Sequence, residues 1–169
     1  MTFTRWSSAV PLPASPPFQT NGSLMTATPN SKAAATASPH RVLQPIGWEQ
    51  PVGYANGIAA RGRTIFVGGQ IGWNERCQFE TDDFVDQVRQ TLLNIVAVLK
   101  SGGAVPHHIT SMTWYFIDKK EYVENLGAIG QAYREIIGRH FPAMAAMQVL
   151  ALVEDRARIE IQATAVVPE

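Results

Sequence analysis

Glu160 is the residue of this chain best placed to move a proton. It stands in Ile159-Glu160-Ile161-Gln162-Ala163-Thr164-Ala165-Val166-Val167, where Ile159, Ile161, Ala163 and Ala165 alternate with Glu160, Gln162 and Thr164. That period of two predicts a strand with one row turned inward and the other outward. A carboxylate fixed on a strand among uncharged neighbours is either a solvated surface charge or a positioned acid whose surroundings tune its pKa. Taken alone, such a glutamate is more often the former. The other reactive side chains carry weaker patterns. His107 and His108 are adjacent, and adjacent residues on a strand point to opposite faces and do not chelate one ion together, so a polar loop is the better reading. Cys77 lies beside Arg76 with no histidine near it and reads as an exposed loop thiol. Ser101 and Ser111 show no nucleophile signature. Trp73, Trp114 and Tyr115 can stack on a substrate ring. Aromatics on strands are more often core or interface, which favours Trp73, next to a glycine turn, over Trp114 as a ligand contact.

The elements that must position these residues follow from periodicity. Residues 42–46 read as a short strand. Residues 56–60 and 64–68 flank Arg61-Gly62-Arg63, which predicts a β-hairpin. Next comes Gly68-Gly69-Gln70-Ile71-Gly72, whose glycines let the backbone approach a ligand or another backbone closely; its spacing is that of neither a Walker loop nor a dinucleotide fingerprint. Thr81-Asp82-Asp83 supplies capping side chains for a helix whose apolar stripe is Val85, Val88, Leu92, Ile95 and Leu99, stopping at Gly102-Gly103. Residues 109–117 are rich in β-branched and aromatic side chains and predict a central strand. A second helix carries Tyr122, Leu126, Ile129, Tyr133 and Ile136 or Ile137, ending at Gly138. Strands over 141–149 and 159–167 close the chain. This order implies an α+β domain, a mixed sheet with two helices packed on one face. The other face is left to water or a partner, and Met112, Trp114, Phe116, Met147 and Val149 offer apolar rows on both sides of their strands, so a symmetric homo-oligomer is expected.

Composition bounds the function classes. The 169 residues make one domain with an appendage, and no apolar run approaches the ~20 residues of a membrane-spanning helix. Fourteen basic residues balance fourteen acidic ones, which argues against nucleic acid or an anionic membrane as partner. A single cysteine excludes an internal disulfide and fits a reducing cytoplasm. Residues 1–40 hold six of the eleven prolines and no acidic residue, and they lack apolar periodicity. They read as a disordered leader that is neither a secretory signal nor an amphipathic transit peptide, with Met25 as an alternative start. Residues 41–169 form the folded domain.

Several short stretches, in order, resemble the RidA (YjgF) family: Gly53-Tyr54, Gly68-Gly69-Gln70-Ile71, Gln87 with Leu92 and Asn94-Ile95, Phe141-Pro142-Ala143, and Ile159-Glu160-Ile161 with Ala163 and Ala165. The likeness spans about residues 42–168. It implies a chorismate-mutase-like fold, a homotrimer with a ligand pocket at each subunit boundary, and cofactor-independent hydrolysis of reactive enamines or imines to a carbonyl compound and ammonia. It implies Glu160 as the catalytic carboxylate that manages the attacking water. Substrate contacts are implied for Tyr54, for the glycine-rich wall at Gly69 and Gln70, and for Met144 and Ala145 after Pro-Ala. The chain departs from the family at Met144, where an arginine grips the substrate carboxylate in a bidentate pair that a thioether cannot imitate. Two readings follow: hydrolysis of a substrate other than 2-aminoacrylate, or a non-catalytic small-molecule binder or regulator. Arg139 or His140, just upstream, are candidates for the missing cation.

Overall fold

A computed structural model describes residues 38–169. The leader expected over 1–40 therefore lies, apart from its last three residues, outside the described residues, as does Met25. The described chain runs β1 (Arg41–Leu43), β2 (Gly57–Ala59), β3 (Arg63–Ile71), α1 (Phe84–Ser101), a 3-10 turn (Pro106–His108), β4 (Ile109–Phe116), α2 (Lys119–Glu124), α3 (Leu126–Ile136), β5 (Ala143–Gln148) and β6 (Ile159–Val167). Four strands make the main sheet in the order β3-β6-β4-β5. β6 is antiparallel to both its neighbours, and β4 and β5 are parallel. The sheet is mixed and the class is α+β, as the residue pattern requires.

The apolar stripe of α1 builds the core. Asp83 caps the helix by accepting a hydrogen bond from the Asp86 backbone N–H. Val88, Leu92, Ile95 and Leu99 are then wholly buried, and they pack with Ile159, Ile161, Ala163 and Ala165 of β6. Full burial of each large aliphatic side chain contributes about 1.5–3 kcal/mol, so this one helix face supplies much of the cohesion. Gln87 is buried on the same helix. Its amide donates to the carbonyls of Thr81 and Arg156, and its Oε1 accepts from the Arg158 N–H at 2.9 Å. The side chain thus ties the start of α1 to the loop that feeds β6. Gly72 lies so close that a Cβ there would come within 2.6 Å of the Gln87 Cβ.

Two expectations are corrected. The hairpin over 56–68 does not form: β2 pairs with β1, Arg41 facing Ala59, while β3 pairs with β6. Gly62, at φ +142, shows why, since a Cβ on it would sit 2.0 Å from the Val167 carbonyl oxygen; the backbone here presses against the end of β6 instead of turning back on itself. The second helix is two helices. Asn125, at φ −103 and ψ 9, caps α2 and opens α3, and its side chain donates to the Glu121 carbonyl. Of the apolar rows on the strands, Met112, Trp114 and Phe116 are the one buried under the helices. The open face carries Phe66, Thr113, Tyr115, Gln162, Thr164, Ala145 and Met147, with Phe66 79% exposed.

Replacing Gln87 by leucine keeps the volume but strips three part-buried backbone groups of their partner. Each such group costs about 1–3 kcal/mol when unmet, so Gln87→Leu is expected to lower unfolding free energy by at least one such increment, measured by urea denaturation. A neutral result shows that water replaces the amide at this joint.

Candidate functional site

The glycine run becomes a bulge in β3. Val67 faces Ala163 and Gln70 faces Ile161, so Gly68 and Gly69 are the slack in the ladder. Gln70 folds its amide back onto the Gly68 and Gly69 carbonyls at 3.2 and 3.3 Å. The carboxylate of Glu160 crosses the bulge at Gly69. A Cβ there would lie 1.8 Å from the Glu160 Oε1, so only glycine leaves room for the acid in this position. Among the described residues no hydrogen bond ends on that carboxylate. Glu160 is half-buried and shares its row across the sheet with Tyr115 and Met147. Glu160, Gly69 and Gln70 are thus brought together on the sheet.

A second feature lies on the helix side. A cavity of about 750 Å³ opens between α2, α3, β4, β5 and the loop before β2, walled by Tyr54, Trp114, Tyr122, Tyr133, Phe141 and Met144. The loop is held there by backbone: the Ala55 N–H donates to the Pro142 carbonyl at 2.9 Å, and Ala55 bridges to Ala143. The aromatic walls are fixed by stacking, Tyr122 on Phe116 at 4.3 Å and Tyr133 on Phe141 at 5.7 Å between centroids. The Tyr133 hydroxyl donates to the His140 carbonyl at 2.7 Å, and burial pushes its pKa up, so it remains a neutral donor. Residue types and volume match a small-molecule pocket.

Within one chain these two features lie on opposite faces. Met144 faces Met112 and turns toward the helices, whereas Ala145 faces Thr113 on the open side. Tyr54 and Met144 meet in the cavity; Ala145 does not join them, and Glu160 lies across the sheet. Neither suggested substitute cation reaches the cavity. His140 is buried with Nε2 2.6 Å from the Ile109 carbonyl, and Arg139 lines a neighbouring surface depression that shares only Arg134 with the cavity. Burial, first, and the charges of His107 and His40 hold the His140 pKa below its usual range, against the opposing pull of the Ile109 hydrogen bond. Arg134 of α3 does line the cavity, and the apolar pattern gave no signal for it because it sits off the helix stripe.

The remaining candidates resolve simply. Trp73 is packed on Phe79 and its carbonyl accepts from Asn94, away from the cavity, while Trp114 is both core and cavity wall, the reverse of the order expected. Cys77 is exposed, at φ 58 in a tight turn. His107 and His108 occupy the 3-10 turn with their rings edge to face at 4.9 Å. Among the described residues no three side chains gather as metal ligands, and no helix there is long and apolar enough to cross a membrane.

Comparison with known proteins agrees with this architecture. Residues 49–167 match the family described as Endoribonuclease L-PSP. A 2-iminobutanoate/2-iminopropanoate deaminase of Capra hircus is 32% identical over 105 residues, 62% of this chain and 73% of the relative. A RutC family protein of Pyrococcus horikoshii is 32% identical over 118 residues, 69% of this chain and 89% of the relative. Among solved structures, YyfB of Yersinia pestis, of the conserved Rid protein family, superposes with a TM-score of 0.68 at 29% identity, over 76% of this chain and 98% of its own. The structure of E. coli TdcF with bound serine gives 0.54 at 25% identity, over 75% and 98% of the two chains.

The buried histidine yields a pH test. A neutral His140 in the folded state with a depressed pKa means that the unfolded chain binds more protons below the ordinary value of about 6.5. Stability contributed by the neutral ring is therefore complete above that pH and lost as pH falls below it, and His108, also depressed first by burial, acts in the same direction. Thermal unfolding at pH 7 and pH 5 is expected to show a lower Tm at pH 5. His140→Gln, which keeps a donor for Ile109 without titrating, is expected to flatten the difference.

Proposed function

Because this chain belongs to the RidA/YjgF family, the one described as Endoribonuclease L-PSP, we propose that it hydrolyses a reactive enamine or imine to a carbonyl compound and ammonia without a cofactor. The observation that carries the reading is the Glu160 carboxylate laid over the Gly69 bulge with no protein hydrogen bond among the described residues to occupy it. A carboxylate so held is free to accept a proton from water and return it. In the proposed reaction it takes a proton from water as the oxygen adds to the C=N carbon, giving a carbinolamine. That proton passes to the nitrogen and completes the neutral carbinolamine; the carboxylate then carries the carbinolamine hydroxyl proton to the same nitrogen as the C–N bond breaks, so the carbonyl forms and ammonia leaves. One water is consumed and the carboxylate is regenerated.

Glu160 and the cavity face opposite ways in one chain, so the reading requires a second copy. We place the open sheet face against a neighbouring subunit, which sets Glu160 of one copy beside the cavity of the next; the homotrimer implied by the sequence likeness is the assembly proposed. Phe66 and Met147, both exposed on that face, give it apolar surface to bury. A cytoplasmic setting belongs to the proposal on the strength of the single cysteine. The family's description also names a ribonuclease, but 14 cations against 14 anions give this chain no net field for a phosphate backbone.

Met144 in an apolar wall favours the second reading, a binding or regulatory protein, and one experiment decides between them. Ammonia release from freshly generated imines is measured with wild type and Glu160→Gln. Loss of about a hundredfold or more in the variant is the outcome expected for general acid–base catalysis; equal rates refute the role of Glu160. Light scattering after size exclusion is expected to give three times the 18.5 kDa chain mass, and a monomer refutes the shared site.

A further inference from the structure

The cavity's walls contain one charged side chain among the described residues, Arg134. Its guanidinium lies back along α3 over Gly130, with Nη1 3.1 Å from where a Cβ on that residue would be. A glycine inside a helix costs about 1 kcal/mol relative to alanine, and here its bare face is where the guanidinium rests at the cavity rim. Arg89, Arg156 and Arg158 are each engaged in an ion pair, whereas Arg134 enters none among the described residues.

We propose that Arg134 holds the carboxylate of the substrate in place of the arginine that Met144 has displaced, and that the substrate is a 2-imino acid, or its enamine, with an aromatic side chain. The inference rests on the deaminase reading. Its chemistry is that of the walls. Tyr122, Tyr133, Phe141 and Trp114 present ring faces and edges to a space of about 750 Å³, far more than a methyl or ethyl side chain fills. A planar ring packs there in offset or edge-to-face contact. A guanidinium at the rim gives a carboxylate a bidentate partner that Met144 cannot. The cation has moved from the strand that begins after Pro142 to the helix opposite it, so the substrate is gripped from the rim and its side chain points inward.

The test uses the full chain and imines made in situ from phenylalanine and from alanine by an amino-acid oxidase, with semicarbazide competing for the imine. Wild type is expected to favour the phenylalanine-derived imine about tenfold or more in kcat/KM. Arg134→Met is expected to raise KM for it about tenfold or more, with kcat changed less than about threefold, as loss of a charged hydrogen bond dictates. Arg139→Met, whose side chain lies in the neighbouring depression, is expected to leave both parameters unchanged. Equal use of the two imines, or an Arg134→Met variant with unaltered KM, overturns the inference. If wild type hydrolyses neither imine, the deaminase reading falls, and binding of phenylpyruvate and pyruvate, followed by tryptophan fluorescence, decides the cavity separately. Preference for phenylpyruvate lost about tenfold in Arg134→Met upholds the site, and no binding or no preference removes it.

Discussion

The alternation of β6 is the constraint from which the rest of this structure follows. Ile159, Ile161, Ala163 and Ala165 must face the helices because they are the floor of the core, and a strand's two-residue period then sends Glu160 to the other side. Nothing in the chain can move the acid to the helix face without moving every apolar residue of β6 off it. Shifting the register by one residue would expose four core positions at once. The position of the carboxylate is therefore set by the hydrophobic effect, and the Gly68-Gly69 bulge in β3 is the local adjustment that makes room for it.

The same constraint separates the acid from the aromatic cavity and gives the open sheet face its mixed character. The face is neither a second core nor plain surface. Thr113, Gln162 and Thr164 can be hydrated, while Phe66 and Met147 leave apolar area exposed. A mixed face of this kind suits contact between folded subunits, whose interfaces combine apolar patches with polar, water-bridged ones. Two helical pieces, α2 and α3, divide the labour on the other side. The break at Asn125 lets Tyr122 stack on Phe116 while Tyr133 stacks on Phe141, a geometry one straight helix need not satisfy.

Most of the fold was legible because its signals are periodic. The α1 stripe, the β6 alternation and the cap at Asp83 are local patterns that the core then enforces, and each stands where the residues indicate. The failures are non-local. Arg61-Gly62-Arg63 has the composition of a hairpin turn, but whether β2 pairs with β3 depends on what lies against Gly62, and that is Val167, more than a hundred residues away. Trp114 and Phe116 alternate with Thr113 and Tyr115, and both rows contain aromatics, so hydropathy alone did not say which row the helices cover. At the site, Glu160 and Gly69 were readable as a pair through family likeness, and the structure supplies their contact. Arg134 was not readable. It lies off the apolar stripe of its helix, where a charged residue ordinarily means only solvent.

The parallel pairing of β4 with β5 has a further consequence. Parallel neighbours require a crossover, and here the crossover is α2 and α3, so a single unbroken stretch from 109 to 148 supplies both strands and both helices around the cavity. Only the short loop at Pro51–Tyr54 comes from elsewhere. Glu160 and the glycine bulge belong to other segments altogether. On the proposed reading, ligand preference and proton handling are thus encoded in separable parts of the gene. A segment exchanged as one cassette from another member of the family would bring its own cavity while leaving the acid and its glycine untouched, and substitutions gathered in that stretch can retune what the domain takes up without disturbing the strand on which its proposed chemistry depends.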